Sequence, residues 1–300
     1  MSESWRVVTI CSIAPLAHSL VDAVRGLGHD PLALLGPRRD PGHEPVAQLA
    51  PRRKEARAIE GVPLLTDQTA PPGIDLLFAK DKHSIEPLLR AYEPDVMLCW
   101  GFPWKIPQEA LDVPRLGSVN QHPGPLPRHR GPIPFAWSFR SGDTHFGVTW
   151  HRMDAELDTG NILAQATVPI EDTDVTIFDF APRTSMAALD LLPRVFERLL
   201  AGDPGDPQPE EGASWGGHFE EDYAEVDWSQ PARAVHNQVR AWAMTFGTYD
   251  IVAPVAELDG ERVKLLRTSL VDPGGDAKRV ECGDGPIWIV ESEQLVSRRP

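Results

Sequence analysis

The opening of the chain restricts its folds more than any later stretch. Trp5–Cys11 is a short, β-rich apolar run, and Pro15–Leu27 then places Leu16, Leu20, Val21 and Val24 at helical spacing. Gly28 supplies a helix stop, and Pro31–Leu35 is a second short strand. Strand, helix and strand in that order close as a crossover unit, so the sequence predicts an α/β fold on a parallel sheet. The first turn, SIAPLAHSL, contains no glycine, which excludes the G-x-G-x-x-G cradle of a dinucleotide site.

The pattern continues. Gly61–Leu65 reads as a further edge strand and Ser84–Tyr92 as a helix. Val96–Trp100 is apolar throughout, as a central parallel strand requires, and it runs into Gly101-Phe102-Pro103-Trp104-Lys105-Ile106-Pro107. Gly117–His122 is a strand whose Asn120 and His122, two residues apart, leave the same face. PGPLP follows and ends the strand, leaving His122 at its carboxyl tip. Ligands of open α/β sheets bind beyond the carboxyl ends of strands, so this tip and the Gly101–Pro107 loop are expected to be neighbours. Gly131–Arg140 reads as a short helix entered through Pro132, and His145–His151 as a strand with Ile162–Ile170 as its antiparallel partner. The connection between them carries Leu157-Asp158-Thr159-Gly160, which should bring Asp158 within hydrogen-bond or one-water reach of His122. A long helix, capped by Asp172 or Thr173, is expected to reach about Leu200, with Pro182 and Pro193 kinking or splitting it.

Three hundred residues suit two domains. Ala201–Gly212, AGDPGDPQPEEG, has linker composition. Beyond it come a helix at about Pro231–Trp242 and strands at Tyr249–Leu258, Glu261–Val271, Ala277–Cys282 and Pro286–Glu291. Asp259-Gly260 and Asp284-Gly285 mark hairpin turns, so a small β-barrel is expected. The division predicted is 1–202, a linker at 203–212 and a second domain at 213–300.

Composition narrows the function. No apolar run approaches the ~20 residues of a membrane span, and the amino terminus has no basic region ahead of its apolar stretch, so it reads as a buried strand rather than a signal peptide. Cys11, Cys99 and Cys282 lack C-x-x-C spacing and read as buried free thiols of a reducing, cytoplasmic protein. A net charge of −15 argues against DNA and nonspecific nucleic-acid binding. His129, His145 and His151 are spaced too irregularly for a metal set, and surface or packing roles are expected of them.

Asn120-x-His122, Pro127, Gly131, Gly147-Val148-Thr149 and Leu157–Gly160 occur in an order that resembles the folate-dependent formyltransferases, most closely their methionyl-tRNA branch. Asp227-Trp228-Ser229 before the late helix resembles that branch at its domain junction. The resemblance implies a Rossmann-like open sheet followed by an OB-like barrel. It also implies 10-formyltetrahydrofolate as formyl donor, with Gly101, Phe102, Trp104 and Ile106, together with Asp154, holding the pterin. The catalytic positions match one by one, Asn120, His122 and Asp158. The loop after His122 departs from the family's Ser-Leu and reads Gly124-Pro125 instead.

These three side chains suit carbonyl chemistry. Asn120 can donate an N–H to the oxyanion that forms when an amine attacks an N-formyl group. His122 can donate to the same oxygen and carry a proton, while Asp158 orients the imidazole and balances its charge. No metal is needed.

For the acceptor, the sequence favours a small amine, such as an amino sugar or an amino-acid derivative. Methionyl-tRNA is the alternative that the two-domain layout suggests. A hydrolase releasing formate would use the same three groups with water, and an inactive binding protein would leave them idle. The glycine-free first turn argues against a phosphorylated glycinamide acceptor. From Pro207 to Pro300 there are 17 acidic and 9 basic residues, a balance of −8 that leaves few positions for phosphate contacts. The basic stretch between Gly36 and Arg57, GPRRDPGHEPVAQLAPRRKEAR, is read as a surface loop, or as the acceptor-gripping insertion that the tRNA enzymes carry nearby.

Overall fold

A computed structural model describes residues 4–37, 63–66, 68–245 and 253–295. The basic 38–57 stretch, Gly61, Val62 and the start of the predicted Tyr249–Leu258 strand lie outside the described residues.

The opening unit forms as the sequence predicts: β1 (Arg6–Cys11), α1 (Ala14–Gly26) and β2 (Asp30–Pro37). After them come β3 (Asp75–Ala79), α2 (Ile85–Tyr92), β4 (Val96–Trp100), α3 (Gln108–Leu111), β5 (Ser118–His122), α4 (Pro134–Arg140), β6 (His145–Arg152), β7 (Ile162–Pro169) and α5 (Ile177–Leu200). The seven strands make one open sheet in the order β3-β2-β1-β4-β5-β6-β7. It is parallel from β3 through β5, and β6 runs antiparallel to β5. The strand order reverses direction between β1 and β4, the kind of crevice where α/β proteins place ligands. Ser12, just beyond β1, donates its hydroxyl to the Gly101 carbonyl just beyond β4, which ties the two strand ends together.

Burial explains why β4 reads so plainly. All five of its residues are buried, and Met97 and Cys99 share one core with Val8, Ile10, Leu35, Ile85 and Leu89. Phe102, Trp104 and Met153 pack against that core.

Four local readings need correction. Residues 63–65 do not form a strand: Leu64 makes one isolated bridge to Ile13, and Pro63 has no N–H to extend a ladder. The edge position belongs to β3, a five-residue run paired with β2 from Ala33↔Asp75 to Pro37↔Ala79. Helix α4 begins at Pro134, not Pro132, because Gly131 (φ +116°) and the non-helical Ile133 (φ −130°, ψ 53°) precede it. Helix α5 begins at Ile177, where the Asp179 carboxylate accepts from the Val175 and Thr176 backbone N–H groups; Asp172 pairs with Arg233 instead. Pro182 and Pro193 do not split α5, since Leu192, Val195, Phe196 and Leu199 are buried around the second proline and hold the turns together.

Contacts divide the chain into two compact units. The first falls within Met1–Pro127, Gly147–Thr167 and Thr184–Ala213; the second falls within Arg128–Phe146, Val168–Arg183 and Ser214–Pro300. In the second, α6 (Ala232–Ala243) packs on a four-stranded antiparallel sheet of β8 (Val255–Leu258), β9 (Glu261–Ser269), β10 (Lys278–Cys282) and β11 (Gly285–Gln294), ordered β10-β11-β9-β8. Asp259 and Gly260 both have positive φ in the β8–β9 hairpin, as their dipeptide predicts. Register shifts on β11 around Glu291 curl this sheet into the partly open barrel expected of it.

Candidate active site

Every group discussed in this section belongs to the first unit. Asn120 is half-buried on β5, and His122 at its tip is buried. The antiparallel register sets His151 of β6 opposite Asn120, and Thr149 opposite His122. Asp158 lies in the connection after β6, with a left-handed φ of +60° that is uncommon for a residue bearing Cβ. Its carboxylate stands between two imidazoles. Oδ2 is 3.5 Å from His122 Nδ1, and Oδ1 is 3.5 Å from His151 Nε2. The predicted approach of Asp158 to His122 is therefore present.

Three devices hold these groups. Gly160 lets its chain pass against β6, for a Cβ there would lie 1.9 Å from the Arg152 carbonyl oxygen. Gln208 donates Nε2 to the carbonyls of Asp158 and Gly160, at 2.9 and 2.8 Å. That residue lies in the stretch that reads as a linker, yet the stretch is fastened down. Arg198 of α5 donates to the carboxylates of Asp203 and Asp206, and Asp206 makes an isolated bridge with Ile162. The third device explains the GVT motif. Gly147 admits the Pro125 backbone against β6; Thr149 donates its hydroxyl to the Gly124 carbonyl at 2.7 Å; Gln165 donates to Thr149 Oγ1 and the Leu126 carbonyl. The turn that leaves His122 is thus clamped from three sides.

His151 is the residue that sequence reasoning missed. It reads as a packing histidine, yet it is 2 % exposed and bonded to Asn120, with its ring 6.4 Å from that of His122. Its strand is expected to pair with Ile162–Ile170, and the pairing with β5 that sets His151 beside Asn120 is visible only in the fold. Cys99, paired in register with Asn120 on β4, is no nucleophile: burial and the nearby Cys11 and Asp158 charges push its thiol pKa well up.

The predicted pterin residues divide by environment. Gly101 (φ +64°) turns the chain out of β4, and Phe102 and Trp104 meet edge to face at 5.4 Å while remaining partly accessible. Ile106 is in the core, so its backbone rather than its side chain is what a ligand could meet. Asp154 follows Met153, which packs on the same core as Phe102 and Trp104. Its carboxylate accepts from the Thr159 hydroxyl at 2.8 Å and the Glu156 N–H at 3.1 Å, organising the turn that presents Asp158.

An amide N–H, two imidazoles and a carboxylate at the carboxyl edge of an open α/β sheet can polarise a carbonyl and move a proton beside it. The chain belongs to the folate-dependent formyltransferase family. The formyl transferase family matches residues 50–196, and the formyl transferase C-terminal domain matches residues 219–297. The sequence is 31% identical over 251 residues to a methionyl-tRNA formyltransferase of Pelobacter propionicus, covering 76% of either chain. It is 34% identical over 218 residues to that of Paracoccus denitrificans, covering 70% of this chain and 69% of the relative. Among solved structures, the fold is similar to WlaRD, a sugar 3N-formyl transferase, with a TM-score of 0.64 at 15% identity, covering 98% of this chain and 99% of that one. It is also similar to HypX from Aquifex aeolicus, with a TM-score of 0.65 at 18% identity, covering 98% of this chain; the chain spans 46% of HypX. No described helix is long and apolar enough to cross a membrane.

Proposed function

We propose that the enzyme transfers the formyl group of 10-formyltetrahydrofolate to a small primary amine, with Asn120, His122 and Asp158 as its catalytic groups. The observation that carries the mechanism is the carboxylate of Asp158 set between His122 and His151, beside Asn120 at a strand tip. The half-buried Phe102 and Trp104 and the exposed backbone around Gly101 fit a flat heterocycle, with Asp154 at the adjoining turn.

When bound, the donor supplies a formyl carbon joined to a nitrogen leaving group. Asn120 donates an N–H to the formyl oxygen as it gains charge, an interaction whose loss typically costs ~10²–10³ in rate. The His122 imidazole delivers a proton to the departing nitrogen. Asp158 fixes the ring through Nδ1, stabilises its cation and takes part in deprotonating the incoming amine.

The small-amine reading rests on the turn after His122. Pro125 fixes its own φ and restrains the residue before it, and the turn is clamped by Thr149 and Gln165, so the wall beside the catalytic imidazole cannot easily yield to a bulky acceptor. The acidic balance of residues 207–300 points the same way. Sugar N-formyltransferases such as WlaRD share the fold. Transfer to methionyl-tRNA is the second reading, favoured by the 31% identity over 76% of the chain to an enzyme of that name.

The test supplies 10-formyltetrahydrofolate with either charged initiator tRNA or a pool of amines and amino sugars, and follows folate turnover. Turnover on a small amine, indifferent to salt and reduced about 10²-fold or more by Asn120→Ala or His122→Ala, is expected. Either variant keeping more than about a tenth of the rate would overturn the site assignment. Turnover on tRNA alone, suppressed by modest salt, would overturn the acceptor. Formate release at full rate without any acceptor would make the enzyme a hydrolase.

A further inference from the structure

Asparagine presents a problem to an enzyme that uses it as a donor. Its amide has nearly the same shape in two orientations, and only one of them turns N–H rather than C=O toward the reacting oxygen. Something outside the residue must choose. On β5 the choosing group is on the next strand, where His151 stands directly opposite Asn120.

His151 Nδ1 lies 2.8 Å from the Arg152 carbonyl oxygen. A carbonyl can only accept, so Nδ1 carries the hydrogen and neutral His151 has a lone pair at Nε2. Asn120 Nδ2 lies 3.1 Å from that Nε2. The lone pair accepts one amide hydrogen, rejects the opposite amide orientation, and leaves the second hydrogen of the same nitrogen for an incoming oxygen.

The same nitrogen is 3.5 Å from Asp158 Oδ1, a longer approach than the Asn120 bond. With a lone pair there, His151 gives Asp158 no proton. Were Nε2 protonated, it would turn to Asp158 and deprive Asn120 of its acceptor. One neutral ring thereby keeps two groups in the states that the reaction uses.

We propose that His151 is a positioning residue for formyl transfer, selecting the donor orientation of Asn120 through its Nε2 lone pair. The inference rests on the role given to Asn120 above. It differs from a packing role in being coupled to one side chain, and that coupling can be measured.

The experiment compares His151→Leu, which fills the space without an acceptor, with His151→Gln, which restores one, each in the wild-type and Asn120→Ala backgrounds. His151→Leu should lower kcat about tenfold, with KM for the folate changed less than about twofold, since donor alignment and not binding is lost. His151→Gln should recover much of that loss. In the Asn120→Ala background His151→Leu should cost less than about twofold, because nothing remains to orient. Equal losses in both backgrounds, or a fully active His151→Leu, would overturn the proposal. Long-range ¹H–¹⁵N spectra of the wild-type protein give a readout independent of turnover and of either variant's folding. Protonated Nδ1 with bare Nε2 is expected for His151, and a protonated Nε2 at neutral pH would overturn the inference even if formyl transfer itself stands. Failure of the reaction reading would appear separately, as an Asn120→Ala protein that keeps its rate.

Discussion

Gly147→Ala tests whether the clamp behind His122 matters to catalysis. A Cβ at Gly147 would lie 2.1 Å from the Pro125 nitrogen, 2.2 Å from its Cα and 2.4 Å from the Gly124 carbonyl carbon. All three are backbone atoms, so no side chain can swing aside. Restoring ordinary contact at ~3.5 Å requires a separation of about 1.4 Å between β6 and the turn. That shift breaks the 2.7 Å bond from Thr149 to the Gly124 carbonyl. Overpacking costs about 1–3 kcal/mol and the lost bond about 1 kcal/mol more, for a total of roughly 2–4 kcal/mol. The turn begins at the residue after His122, and a displacement of ~1 Å at a reacting group can cost ~10² in rate. Formyl-folate turnover should therefore fall by one to two orders of magnitude, and the thermal midpoint by several degrees. Gly26→Ala is the control: it closes α1, has no atom near its added Cβ, and should be neutral. A Gly147→Ala enzyme with the wild-type kcat and thermal midpoint would refute the reasoning.

Gln208→Ala removes both bonds that hold the Asp158 and Gly160 carbonyls; kcat should drop severalfold, with faster hydrogen exchange in residues 157–160, and unchanged exchange there would count against the clasp. His236 of α6 concerns stability instead. Burial, with Arg240 and Arg233 nearby and only partly offset by Asp172, lowers its pKa from 6.5 to about 4. The unfolded chain then takes up a proton at higher pH than the folded one, so stability present above pH ~6.5 is lost as pH falls toward ~4. That lowering corresponds to roughly 3 kcal/mol at most. His236→Gln should flatten the stability profile measured by denaturant unfolding across that window, and a variant as acid-sensitive as the wild type would contradict it.

Much of this architecture was legible because burial leaves a one-dimensional trace. β4 is apolar at every position since both of its faces are covered, and Asn120 and His122 stand out because polar residues at a strand tip have few other uses. What escaped reading depends on contacts distant in sequence. Leu64 could pair as a strand only if Pro63 had an N–H to give, whereas β3 is short and lies at an edge, where burial writes a weak pattern. The prolines of α5 argued for a break, and tertiary burial of Phe196 and Leu199 prevailed. His151 looked idle because its partners, Asn120 and Asp158, are 31 residues before it and 7 after it. Gln208 sits 50 residues from the carbonyl of Asp158, in a run whose prolines and glycines argued only for a connector.

The Gln208 clasp also bears on how this chain can be cut. A fragment ended where the composition first turns to proline, glycine and acid would keep every strand of the large sheet and all three side chains proposed for catalysis. It would nevertheless release Arg198 from Asp203 and Asp206 and leave the Asp158 turn without its two Gln208 bonds. Poor turnover of such a fragment would be misread as evidence that the barrel takes part in the chemistry. Any boundary for truncation, fusion or permutation therefore has to keep Gln208 with the sheet, and a cut after Ala213 would still divide the core that Phe139, Phe146 and Phe180 share with Phe219 and Trp242.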